Sequence, residues 1–157
     1  MSYTRLSPQN CMGKSWERPK DAICLASRSI AHIVYPETLY AVQTNPIAFV
    51  RQNGVFSLVM VLGLKKGQNL CVMPNGNWFP VHMPLEFRRH PFYLGGYDEG
   101  SPEILVWKDS IIEDLSGEPF YQLGEAQLVP DLVAITNELF KMSQAWIEML
   151  QLCSIID

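Results

Sequence analysis

Apolar residues recur near the end of the chain with spacings of 3, 4, 3, 4, 3, 4 and 3: Leu132, Ile135, Leu139, Met142, Trp146, Met149, Cys153 and Ile156. A repeat of that period predicts one long helix over 130–156. Pro130 and Asp131 suit its first turn, where a missing N–H is harmless and a carboxylate complements the helix dipole. Val133, Phe140, Ile147, Leu150 and Leu152 widen the apolar side and leave a narrow polar strip of Asn137, Lys141, Gln144, Glu148 and Gln151. A helix lying on a sheet buries a stripe only a little wider than about 100°. The surplus predicts association, with a second copy or another protein, through Leu139, Phe140, Trp146, Ile147, Leu150 and Ile155.

The middle of the chain has strand patterns. Ile47–Val50 and Val55–Leu64 flank Asn53-Gly54, the dipeptide that most strongly signals a tight hairpin. The second run is apolar on both faces and reads as a central strand. Lys65-Lys66-Gly67 then turns the chain into a third expected strand at Leu70–Met73. Together these predict an antiparallel meander around 47–73. Further strands are expected at Ala22–Leu25, Ile30–Val34, Phe92–Leu94 and Ile104–Trp107. A helix opens at Tyr35-Pro36-Glu37, with Leu39, Tyr40 and Val42 as its apolar side, and stops at Asn45-Pro46. One or two helical turns fall between Pro84 and His90. Residues 1–21 read as an irregular arm anchored by Trp16, and 109–127 as loop with short structured pieces. The expected fold is therefore α+β: an antiparallel sheet, flanking helices and a long C-terminal helix. It forms a single domain over 1–157, with an arm (1–21), a core (22–127) and the helix (130–156).

Composition agrees with a folded chain. At 157 residues it is 48% hydrophobic and 18% charged, which excludes a disordered chain. The uncharged apolar run Gln52–Leu64 is too short to span a bilayer as a helix. Residues 1–20 have no continuous apolar run, so no secretory signal is expected. Cys11, Cys24, Cys71 and Cys153 are all more than ten residues apart. No CxxC pair exists, and reduced thiols in a cytoplasmic protein are the expectation. Charge is uneven: residues 1–97 carry ten Lys/Arg against four Asp/Glu, and 98–157 carry two against twelve. The basic residues are scattered, which argues against a nucleic-acid groove. The acids of Asp98–Glu125 raise the option of an inhibitor that mimics nucleic acid.

Candidate chemistry is sparse. His32 lies in an apolar run and reads as a strand or core histidine. His82 and His90 have no HxH or HxxxH spacing for a metal, and no phosphate loop or nucleophile elbow is present, so no metal, cofactor or catalytic residue is assigned. Arg88-Arg89 stands among aromatic residues, a combination that serves forked and stacked recognition. The ligand-binding candidates are Trp78, His82, Arg88, Arg89, His90, Phe92 and Asp109. A pocket near Trp78, His82, Arg88 and Asp109 would suit an enzyme or a binder of peptides or small metabolites.

A series of short motifs then points to a family. Asn45–Val50, Val55–Val59, Leu62–Leu70, Asn75–Trp78, Met83-Pro84, Arg88–Phe92 and Gly117–Phe120 with Gly124 resemble the SapC family of bacterial proteins, over roughly 30–126. The family's usual Arg-Arg-Tyr-Pro-Phe has His90 in place of tyrosine. These are not the like-named transporter permeases. The resemblance implies a soluble accessory protein linked to surface-layer function, without catalytic residues to carry over. Family chains usually run longer, so the helix from Pro130 is expected to replace or shorten their C-terminal part. The reading that follows is a non-enzymatic, cytoplasmic accessory protein acting through protein contacts, a dimer or a partner of another protein.

Overall fold

The computed structural model describes residues 2–52, 54–95 and 103–156, with the backbone alone at Gln52 and Ile156. Asn53 and the acids Asp98 and Glu99 lie outside these residues. In chain order the elements are β1 (Tyr3–Arg5), α1 (Pro8–Cys11), β2 (Ser15–Trp16), β3 (Ile30–His32), α2 (Thr38–Ala41), β4 (Ile47–Gln52), β5 (Val55–Val61), α3 (Leu85–Arg88), β6 (Phe92–Gly95), β7 (Glu103–Trp107), β8 (Ile111–Ile112), β9 (Glu118–Pro119) and α4 (Pro130–Cys153). All pairings between the strands are antiparallel, and the fold is α+β. Among the described residues no helix is long and apolar enough to cross a membrane.

The chain packs as two compact units, Met1–Pro19 with Arg89–Lys141, and Lys20–Arg88 with Met142–Asp157. The first unit holds two small sheets, ordered β1-β7-β6 and β8-β2-β9. Phe92 and Val106 pair across β6 and β7 and are fully buried, joined in one core by Cys11, Trp16, Phe120, Leu132 and Leu139. Residues 1–21 are thus not an irregular arm. β1 completes one sheet, β2 is the middle strand of the other, and Trp16 is 1% exposed with its ring edge-on to Phe92 at 4.7 Å. Burying so large an aromatic side chain ties the segment into the core.

The second unit is built on the sheet β3-β5-β4. β5 is central, which explains its two apolar faces: Leu58, Val59 and Met60 are all buried. Gln52 pairs with Val55, leaving a two-residue connection in which Gly54 has φ +82°. Such positive φ is readily adopted only without a Cβ. The third strand is β3, not Leu70–Met73. That run contributes an isolated bridge from Val72 to Trp78. Ala22–Leu25 is likewise not a strand, because Ile23–Leu25 forms a 3-10 turn.

The helix expected after Tyr35 is a 3-10 turn, Tyr35–Glu37, followed by α2. Its orientation reverses the expectation. Ala41 and Glu37 are buried, while Leu39 and Tyr40 are 74% and 62% exposed. α4 follows the predicted seam. In the first unit Leu132 and Leu139 are fully buried; in the second, Met149 and Cys153 are buried against the sheet core.

Candidate functional site

Among the described residues, Glu37 and Glu86 are the two acids that the second unit draws inside, each beside a histidine. Glu37 is placed by the 3-10 turn, whose curl sends its side chain back to accept a hydrogen bond from the Val34 N–H through Oε2 at 3.2 Å. Its Oε1 accepts from the Leu85 N–H at 2.6 Å, at the start of α3. His82 Nε2 stands 3.4 Å from the same Oε1, close enough for an ion pair but outside hydrogen-bond geometry. Above the imidazole lies the Tyr40 ring, nearly parallel at 5.9 Å. Trp78 donates from Nε1 to the His82 carbonyl at 3.1 Å and meets Phe87 edge-on.

One residue further on, Glu86 faces β3. Its Oε2 accepts from the His32 backbone N–H at 2.7 Å and lies 3.7 Å from His32 Nδ1, and its Oε1 meets Arg28 at 2.8 Å. Burial alone would push this carboxyl up; the contacts with His32 and Arg28 outweigh it and hold the group below its ordinary value. Trp146 of α4 meets the His32 ring edge-on at 5.3 Å. His32 is therefore a strand histidine with partners, as its apolar run suggests.

The structure divides the candidate residues between the two units. Trp78, His82 and Arg88 belong to the second, where Arg88 is exposed at the end of α3. Arg89, His90, Phe92 and Asp109 belong to the first. Arg89 packs its guanidinium 5.8 Å from the Tyr93 ring centre, so the two neighbouring arginines differ, one packed and one exposed. His90 is buried, with Nδ1 2.8 Å from Tyr93 Oη and its ring 4.8 Å from Trp107; burial pushes its pKa down. Phe92 is a core residue between Trp16 and Phe120, not a ligand contact. Asp109 is exposed in the 3-10 turn Lys108–Ser110.

Of the helix candidates, Leu139 is fully buried and cannot meet a partner, because it fills the first unit's core. Trp146 and Leu150 are half-buried. Phe140 (45%), Ile147 (39%), Leu152 (55%) and Ile155 (79%) remain exposed. Part of the acidic stretch falls outside the described residues. Within it, Glu103 pairs with Arg5 at 2.9 Å and Glu113 with Lys14 at 2.8 Å. The first unit also has a cavity of about 370 Å³ lined by Trp16, Glu118, Pro119, Val129, Pro130, Asp131 and Leu132.

Sequence reasoning missed Glu37 and Glu86 as buried acids. The available signal was scarcity, since they are two of only four acids in residues 1–97, and for Glu86 its place between Leu85 and Phe87. A carboxylate beside a histidine can orient the imidazole and stabilise its protonated form. Here both carboxylates also bind backbone N–H groups, so the pairs fasten α3 to the Tyr35–Glu37 turn and to β3. Among the described residues no group of three or more His, Cys, Asp or Glu could hold a metal ion.

With this arrangement established, the comparisons with known proteins give the class. The SapC family matches residues 6–153, and the chain belongs to this family. The match is wider than the motifs at 30–126 suggest: it takes in β2 and the whole of α4. No curated protein and no solved structure matches the chain.

Proposed function

We infer that this SapC-family chain is a non-enzymatic, soluble accessory protein of the cytoplasm that works through protein contacts, first with a second copy of itself. The observation that carries this reading is on the last turns of α4 and the 3-10 turn after it. Ile147, Leu152 and Ile155 are exposed there, on a helix whose other side already fills the core. Leu152 and Ile155, three residues apart, are neighbours and extend the exposed apolar surface beyond Ile147, and a second copy can meet that surface across a two-fold axis. Light scattering after size exclusion tests it. Wild-type chain should run as a dimer at micromolar concentration, and Ile147→Glu with Ile155→Glu should give a folded monomer. A wild-type monomer under those conditions contradicts the reading.

A second reading, a binder of or enzyme for peptides or small metabolites, is favoured by the proximity of Glu37 to His82 beneath Tyr40. Its test is a screen of short peptides and metabolites that follows the His82 imidazole signal by NMR. A shift absent in Tyr40→Ala supports the reading; unchanged spectra across the screen end it.

A further inference from the structure

The register of the sheet β3-β5-β4 fixes which backbone groups meet across it. The Val61 N–H donates to the Pro46 carbonyl, the Ile33 N–H to the Leu58 carbonyl and the Leu62 N–H to the Ser29 carbonyl. Along β5, alternate residues therefore serve opposite neighbours: Leu58 and Met60 turn their backbone groups to β3, Ser57, Val59 and Val61 to β4. Ile47 and Phe49 stand opposite Met60 and Leu58. Their own N–H and C=O groups thus point away from β5, along the outer edge of the sheet. Among the described residues none forms a hydrogen bond to the backbone of Ile47 or Phe49 on that side.

The two edges of this sheet differ. On β3 the outward His32 N–H is taken by Glu86 Oε2 at 2.7 Å. β4 is six residues long, IAFVRQ, about 20 Å of edge with no proline and no acid. Phe49 shares a face with Leu58, a core residue, and with Ile47, which packs against the same core, yet Phe49 is 52% exposed. An apolar edge with outward donors and acceptors is a template for a further strand.

β4 is also its own antiparallel complement. A two-fold axis at Phe49 sets that residue against Phe49 of the second copy as a hydrogen-bonded pair, and Ile47 against Arg51 of the second copy. The two arginines then lie at opposite ends of the contact, with no like charges facing each other. The exposed Phe49 ring gains an aromatic neighbour.

We propose that two copies of this chain pair edge to edge through β4, joining their three-stranded sheets into one of six strands. An edge this short buries less surface than a permanent dimer needs, so the pairing belongs to high protein concentration. It is a contact beyond the one on α4 and does not depend on it.

Analytical ultracentrifugation of the full chain carrying Ile147→Glu and Ile155→Glu tests this with the α4 contact removed. That chain should dimerise between micromolar and millimolar concentration. Hydrogen exchange should show the Ile47 and Phe49 amides becoming protected as it does so. Phe49→Pro deletes an outward N–H that the β4–β5 ladder does not use, and should abolish the association. Phe49→Ser keeps that N–H and should weaken the association about tenfold through the lost ring. Melting curves show which variants fold, and Phe49→Ser with the exchange data decides the matter if the proline variant does not. A chain that stays monomeric at millimolar concentration overturns the proposal, as does association that leaves the Ile47 and Phe49 amides unprotected or that both variants leave unchanged. A monomer whose two amides are protected only by a synthetic peptide of alternating valine and threonine would assign the edge to a foreign strand instead. Loss of the α4 contact is read separately, from wild-type chain at micromolar concentration, where Phe49→Pro should change nothing.

Discussion

Glu37 reaches His82 with the same oxygen that holds Leu85: Oε1 lies 3.4 Å from His82 Nε2 and 2.6 Å from the Leu85 backbone nitrogen. The carboxylate thereby ties the 3-10 turn Tyr35–Glu37 to the start of α3, two points nearly fifty residues apart in sequence. Glu37→Gln keeps the volume but removes the charge and turns an NH₂ group toward at least one backbone donor. Leaving a buried donor without an acceptor costs about 1–3 kcal/mol. Chemical denaturation should report a loss in that range; stability equal to wild type would mean that the fastening contributes nothing.

Acid should weaken the fold through Glu86. Its folded-state pKa lies below the ordinary value of 4.5. The unfolded state therefore takes up the proton first, and the contribution is present above that value and lost as pH falls through the folded pKa. His90 adds a second window. Burial lowers its pKa from 6.5, so protonation of the unfolded chain begins to draw stability away as pH drops below 6.5. Melting temperature should decline from pH 7 to 5 and again below 4.5. Glu86→Gln should flatten the lower decline and His90→Gln the upper one; unaltered profiles would contradict the assignment.

The β4–β5 connection depends on Gly54, whose φ is +82°. A β-branched residue resists that region, and Gly54→Val should cost at least about 1 kcal/mol. Gly54→Asn, which tolerates positive φ, should cost less. Equal melting temperatures for the two variants would exclude the backbone explanation.

All four cysteines are free thiols, and burial raises the pKa of each; for Cys24 the charge of Asp21 adds to this. The thiolate is the reactive form, so alkylation at neutral pH should be slow. Cys24 is half-buried, whereas Cys11, Cys71 and Cys153 are buried. Mass spectrometry of a timed iodoacetamide reaction should find Cys24 modified first. Faster labelling of Cys11 or Cys153 would indicate that their cores open.

What the sequence reveals here is local. The α4 seam and the β4–β5 hairpin were legible because their signals, a repeated spacing and an Asn-Gly turn, lie within the elements themselves. The partner of β5 was not: β3 is about thirty residues away, and nothing in Leu70–Met73 rules that segment out as a third strand. The exposed side of α2 departs from its sequence pattern for a related reason. Leu39 and Tyr40 look like core residues, yet the segment turns Ala41 and Glu37 inward, because Glu37 finds its acceptor role at Leu85. Within the candidate site, Trp78 and His82 were legible as neighbours. The carboxylates of Glu37 and Glu86 find their histidines, His82 and His32, through the fold, forty-five and fifty-four residues away.

Association through α4 is the central claim, and photo-crosslinking tests it most directly. Benzoyl-phenylalanine placed at Ile155, which is 79% exposed, should convert purified chain to a covalent dimer on irradiation. Mass spectrometry should place the crosslink within residues 140–156 of the second copy. Ile147→Glu should abolish it, while the same probe at Asp109, an exposed position in the first unit, gives none. Crosslinks confined to a single chain, or equal yields from both positions, would contradict the account.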